Sequence, residues 1–279
     1  MSKPFTVYRK AVRGSWGKSW WLAWPITERI SVGDVLHNVD GHVRRAGTLK
    51  DRGVTYEDRP GNPHADVLHD AGGSASVHFK PAGVAVEGFS ALAAAELGAA
   101  VEFSKSHSAL VVYKGLQEQA VADEKALAAA LVDLTWQTWD DSLLAVTQVI
   151  SANSGTLLIS ESSGASVEFR LQAGLGQAPF GIADLAGGAA ILRHRGVSEK
   201  WAGAECTPFF RVVRLRKRWF RSVTEDYGPR QPGRGAQPEP VPPVLIDEAL
   251  HDPGAVLEAV EAVEAVEAEE RHPSNPASE

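Results

Sequence analysis

The chain has 279 residues, 44% hydrophobic and 23% charged, a composition that supplies one large apolar core or two small ones. No apolar run approaches the roughly 20 residues that a helix needs to cross a bilayer, which excludes a polytopic helical membrane protein. The net charge of −7 is unevenly spread: from Glu225 onward thirteen acids face three bases, a net of −10, leaving a body at +3 and a strongly acidic tail.

The N-terminus, MSKPFTVYRKAVRGSW, lacks the apolar core and small-residue cleavage site of a secretory signal, so cytosolic synthesis is expected. Four tryptophans follow within SWGKSWWLAWP, a run broken at Pro25, and ITERISVGDVL alternates as a strand entering a short helix would. Residues 38–74 are rich in Gly, Asp, Arg, His and Pro and read as turns joining short elements. SASVHF then places Val77 and Phe79 on one face, KPAG turns the chain, and VAVEGF continues with Val84 and Val86 in phase, a predicted hairpin. Residues 90–100 fit either a short helix or a small-residue strand edge, after which VEFSKSHSALVVYKG returns to strand character.

A helix is predicted over 117–134, where Val121, Leu127, Leu131 and Leu134 recur among strong helix formers. SLLAVTQVISANSGTLLISESSGASVEFRLQ predicts a meander of two or three strands turning at SANSG and ESSG. Further strands are expected at 189–195 and 209–220, which makes residues 1–223 a mixed α+β domain. The Pro/Gly-rich stretch 224–243 reads as a flexible linker. In 244–279 the V-E-A triplets align Val260, Val263 and Val266 along one narrow stripe of an acidic helix.

Residues for catalysis are hard to assemble. LAGGAA lacks the lysine and hydroxyl of a phosphate-binding loop, and neither GxSxG nor HExxH occurs. The pairs His37/His42 and His64/His69 lie five apart in turn-rich sequence, whereas a metal needs three or four converging donors. Cys206 is the single cysteine, unable to form an intrachain disulfide, and reads as a small buried hydrophobe rather than a nucleophile. No catalytic, cofactor or metal site is assigned, and a non-enzymatic role is expected.

What remains is two aromatic and basic clusters. Lys3, Arg9, Lys10, Arg13 and Lys18 interleave with Phe5, Tyr8, Trp16 and Trp20; Arg211, Arg214, Arg216, Lys217, Arg218 and Arg221 flank Trp219 and Phe220. Each Lys or Arg near an anionic bilayer is worth roughly 1 kcal/mol, and tryptophan favours the headgroup zone. The same residues suit nucleic acid, or a solvated face beside core aromatics. Residues 75–88 paired with 100–113, and 143–151 with 156–171, alternate weakly and reach the about nine to eleven residues of a membrane-spanning strand. Soluble sheets with one wet face look the same.

The order of these pieces resembles the gasdermin pore-forming domain, particularly its bacterial branch. WWLAWPITERISVGDVL is similar to that family's early strand, LAVTQVISANSGTLLIS followed by SGASVEFRLQ to its central hairpin, the helix at 117–134 to its linking helix, and CTPFFRVVRLR to its closing strand; together they span roughly residues 20–220. The resemblance implies a twisted, mainly antiparallel sheet with peripheral helices and a C-terminal inhibitory tail. It also implies a monomer held inactive in the cytoplasm, an activating protease, and an oligomeric pore in acidic lipid of the inner membrane, as in antiphage cell death, with no nucleic acid partner. On this reading Arg230 and Arg234 mark the cleavage region, and Val244, Leu245, Ile246, Leu250, Val256, Leu257 and Val260 supply the tail's contacts. Bacterial members commonly carry a lipidated N-terminal cysteine, but here Cys206 lies deep in the chain, and the tail is longer and more repetitive than theirs. The competing readings are a basic-surfaced cytosolic binding or scaffold module for nucleic acid or protein, and a hydrolase whose site the motifs do not reveal.

Overall fold

The computed structural model of the chain describes residues 3–39, 42–70, 72–87, 89–135, 142–172, 180–186, 189–216 and 241–262. The N-terminal run forms helix α1 (Lys3–Trp16), because Phe5, Tyr8, Val12 and Trp16 recur at helical spacing and leave Lys3, Lys10 and Arg13 exposed. Gly17, at φ +72°, ends it with a left-handed turn whose N–H donates to the Arg13 carbonyl at 3.2 Å.

A nine-stranded antiparallel sheet forms the body. It runs from β1 (Trp21–Leu22) through the long β12 (Val197–Leu215) and β9 (Leu143–Ser160) to β2 (Asp34–Val39) and β3 (His42–Thr48). Farther along β9 the neighbour becomes β8 (Ala109–Val121), which carries β4 (Asp58–Pro63) and β5 (Val67–His69), while β13 (Leu257–Ala259) adds to β12. With 18 and 19 residues, β9 and β12 are about three times an ordinary strand and act as spines shared by both halves of the sheet. A second antiparallel sheet has the order β6 (Ala75–Lys80), β7 (Gly98–Phe103), β10 (Ala165–Arg170), β11 (Ala190–Arg195). The fold is therefore mixed α+β and mostly antiparallel.

Alternation within the strands explains the layering. Val111, Tyr113, Leu157 and Ile159 point to α1, while Leu110, Val112 and Leu158 point the other way, onto Val101, Phe103, Val167 and Phe169 of the second sheet. Strands buried on both faces need continuous apolar runs, which ALVVY and TLLIS provide. In the other half of the sheet Val35, Leu36, Ala145 and Val212 pack with helix α2 (Glu124–Thr135), α3 (Pro243–His251) and the short α4 (Pro253–Val256).

The two sheets share one strand order. The main sheet presents β5, β8, β9 and β12 side by side, and the second presents β6, β7, β10 and β11, each the chain neighbour of its counterpart. The junctions are 70–74, 104–108, 161–164 and Gly196. Each includes a left-handed residue: Gly72 and Gly73, His107, Gly164, and Gly196. Serines stitch the bends together. Ser160 Oγ donates to the Lys105 carbonyl and accepts from the Ser108 N–H, both at 2.9 Å, and Ser163 Oγ donates to the Ser104 carbonyl at 2.9 Å.

Several expectations are corrected. QEQAV belongs to β8, and α2 begins only at Glu124, where Asp123 Oδ1 accepts from the N–H groups of Lys125 and Ala126 at 2.9 and 3.0 Å. SANSG is no turn: it stays inside β9 because β8 and β12 pair with it on both sides. Thus 143–151 does not pair with 156–171, and β10 pairs with β7 and β11. The described residues of VAVEGF form no strand; β6 closes instead on β7, from Ala75↔Phe103 to Lys80↔Gly98. ITERIS is irregular and leads into strand β2 without a helix. The valine-striped tail starts as helix α3 but turns into strand β13 at Leu257, so Val260 lies beyond a strand and not on a continuing helix. Val263 and Val266, the end of the body at 223 and most of the linker lie outside the described residues.

Candidate functional site

The tail closes over the basic edge of β12. Leu257–Ala259 pairs antiparallel with Val213–Leu215, placing Glu258 opposite Arg214. Glu258 Oε1 accepts from Arg214 Nε at 2.5 Å. Arg216 donates twice to the same segment, from its backbone N–H to the Val256 carbonyl at 2.8 Å and from Nε to the Leu257 carbonyl at 3.3 Å. The chain then crosses to the N-terminal region, where Trp21 Nε1 donates to the Val260 carbonyl at 2.7 Å and the Ala262 N–H to the Lys18 carbonyl at 3.3 Å.

Magnitudes separate what holds the tail from what it hides. Leu245, Val256, Leu257 and Val260 are buried among Leu127, Leu131, Val35 and Val212, and each such side chain contributes about 1.5–3 kcal/mol as an upper estimate. The Arg214–Glu258 pair keeps only 18% and 30% side-chain exposure, so the cost of desolvating its two charges offsets much of their attraction and its net contribution is on the order of 1 kcal/mol. Apolar burial therefore fixes the tail, and its acidic charge acts chiefly on the potential of the surface beneath.

The two basic clusters, distant in sequence, meet here. Arg211 donates to Gln148 Oε1 at 3.0 Å and Ser19 Oγ at 3.1 Å, and its guanidinium lies 4.3 Å from the Trp20 ring centroid. Gln148 continues the chain of contacts to Glu118, which also holds His64 Nε2 at 2.9 Å. Burial pushes the Glu118 carboxyl up, but hydrogen bonds from His64 and Gln148, with Arg211 nearby, outweigh it and hold the group below its usual range. Trp16 stacks on Phe209 at 4.3 Å and lies 5.2 Å from His64. Beneath them the Tyr8 and Tyr113 hydroxyls bond at 2.8 Å in a fully buried pair, and burial drives both phenols upward.

The predicted residues thus divide. Lys3, Lys10, Arg13 and Lys18 are exposed and Arg9 is half-buried. Arg211 is engaged within the fold, and Arg214 and Arg216 are taken up by the tail. Leu245, Val256, Leu257 and Val260 are buried and Ile246 packs against them, but Val244 and Leu250 are 58% and 41% exposed and leave the proposed contact set, because α3 turns its opposite side to the body. Lys217, Arg218, Arg230 and Arg234 lie outside the described residues. Sequence reasoning missed Glu258, Ala249 and Trp21. Glu258 is one of many like acids in the tail, and only its register against Arg214 distinguishes it. Among the described residues no helix is long and apolar enough to cross a membrane, and no group of His, Cys, Asp or Glu is arranged to hold a metal. Compared with models of known protein families and with curated proteins, the chain matches none.

Proposed function

We propose that this chain is a tail-restrained pore-forming protein of the gasdermin type, activated when a protease cuts the linker and frees the body to act on acidic membranes. The observation that carries the reading is the shared strand order of the two sheets. Four bends separate β5, β8, β9 and β12 from β6, β7, β10 and β11, and straightening them joins the strands into one four-stranded sheet without any change of neighbours. A β-barrel wall needs such long antiparallel strands, since lipid offers no partner to an unpaired backbone.

The tail supplies the restraint. It covers the β12 edge, neutralises Arg214, engages Arg216, and adds its excess of acids to a body of opposite sign. While tethered, it rebinds at a high effective concentration; once cut, it leaves as a separate peptide. The released body then meets anionic lipid with the exposed bases of α1 and the uncovered arginines of β12, and copies assemble into the pore.

The test uses the full chain with a specific protease sequence inserted at 230–234. Uncut protein should leave anionic liposomes sealed, and cutting should release an entrapped dye. Equal leakage before and after cutting, or salt-sensitive binding to duplex nucleic acid without any leakage, overturns the reading in favour of a binding module.

A further inference from the structure

The two faces of the second sheet differ in character. Toward the main sheet it turns Val77, Val101, Phe103, Val167 and Phe169, which pack with Leu110 and Leu158 of β8 and β9. Apart from His194 on the edge strand β11, opposite Val167, the four strands carry no ionisable side chain on that side. The pairing register aligns their alternate residues in three rows on the outer face. Glu102 and Arg195 flank Ser166 in the first, Glu168 lies opposite Arg193 in the second, and Lys80 and Arg170 flank Gly98 in the third.

Four of these six charged side chains reach the same connection, 89–97, as residues on one face must. Lys80 Nζ donates to the carbonyls of Ala93 and Ala94 at 3.0 Å and of Glu96 at 2.6 Å. Glu168 accepts from the Ala91 N–H at 2.9 Å, Arg193 donates to Ser90 Oγ at 2.7 Å, and Arg170 pairs with Glu96 at 2.9 Å. With His78 counted as neutral, four cations against two anions leave the outer face at +2. Taking Arg170 as neutralised by Glu96 still leaves it at +1.

Opening the two sheets into one gives each face a different medium. A barrel strand alternates between lipid and lumen, and Arg or Lys on the lipid side is destabilising in proportion to its depth. The outer face, with four such residues, therefore belongs to the lumen, and the valine and phenylalanine face to lipid. Assembly repeats the excess of bases around the wall once per copy. Rings of Arg and Lys draw anions and repel cations, and their field reaches into the conduit by a Debye length, roughly 30 Å at 0.01 M salt and roughly 3 Å at 1 M.

We infer that the outer face of β6, β7, β10 and β11 lines the conduit and makes it prefer anions, so that small anionic solutes pass ahead of cations of the same size. This rests on the pore-forming reading, and the test separates the two. The full chain with the inserted protease site is cut and added to planar bilayers of phosphatidylcholine with phosphatidylglycerol, across a KCl gradient near about 0.01 M. The reversal potential should give chloride a permeability about twofold or more above that of potassium, a preference that fades in about 1 M salt. Arg195→Glu and Glu102→Lys alter exposed side chains of one row, taking the face from +2 to 0 and to +4, and the uncut variants should keep the thermal midpoint of the unaltered protein. In the same lipid the first should bring the chloride-to-potassium ratio to one or below, and the second should raise it. Channels that conduct without preference, or prefer potassium, overturn the inference and leave the pore reading standing. A chloride preference that neither substitution moves has its source elsewhere and also overturns it. Absence of conductance from the cut protein overturns both.

Discussion

Gly155 sits where two aromatic rings close on the backbone of β9. A Cβ there would stand 2.6 Å from Tyr113 Cδ1 and 2.9 Å from Trp201 Cζ3, both side chains being held by the packed sheet. In sequence this glycine, beside Ser and Asn, looks like a turn residue; the need for glycine is real, but its cause is close approach of side chains from β8 and β12. Gly155→Ala should cost about 1–3 kcal/mol, read as a lower denaturation midpoint at unchanged slope. Cys206 gives the opposite lesson, since its apolar neighbours in AECTPFF already marked it as buried. It is 4% exposed, and burial pushes its thiol up to about 12. The folded state thus disfavours the thiolate, so the contribution to stability is present below the unfolded thiol's ordinary range and is lost as pH rises from there toward the folded value. A thiol reagent at pH 8 should leave native protein almost unmodified and react at once in denaturant; rapid native reaction would show that this part of β12 opens readily.

At the scale of elements, the tail was legible as an acidic amphipathic segment, and its dual structure was not. In α3 Leu245 and Ala249, four residues apart, share the buried side, but a helical pattern read onward through VLEAVEA gives no sign that Leu257–Ala259 adopts extended backbone. That switch depends on a distant partner, the open edge of β12, which offers hydrogen bonds that a helix end in water does not. Likewise QEQAV has helix-forming composition and is strand because Gln117–Ala120 faces Gln148–Ser151 in β9. The tail's hold is testable one residue at a time. Leu245→Asp places a charge among Leu127, Leu131 and Val256 at a cost of roughly 3 kcal/mol or more, and should allow dye leakage from anionic vesicles without any cut. Val244→Asp, at a 58% exposed neighbour, is the matched control and should leave the uncut protein inert. Leakage from neither, with cutting still effective, would mean that α3 is dispensable for restraint.

For the whole molecule, the charge division and the β-rich α+β character were visible in composition and patterning, whereas the doubled sheet was not. Nothing in ISESSGASV or FSKSHSAL distinguishes a hairpin turn from a bend that carries a strand out of one sheet and into another; the difference lies in which neighbours the next strand finds. Those bends are also where the molecule is least like regular sheet. The Ser160 hydroxyl bonds the backbone of Ser108 at one of them, and His107 sits at φ 54°, a left-handed conformation that costs a non-glycine residue about 1 kcal/mol or more. On the proposed pore-forming reading, unbending would relieve that conformation and exchange side-chain hydrogen bonds for backbone ladder bonds between β7–β8 and β9–β10. Amide exchange at 104–108 and 161–164 should therefore slow when the cut protein meets anionic vesicles, while the centres of β9 and β12 stay protected throughout. Membrane leakage with undiminished exchange at both bends would require a pore assembled from the folded-over form, and the shared strand order would then have no part in making it.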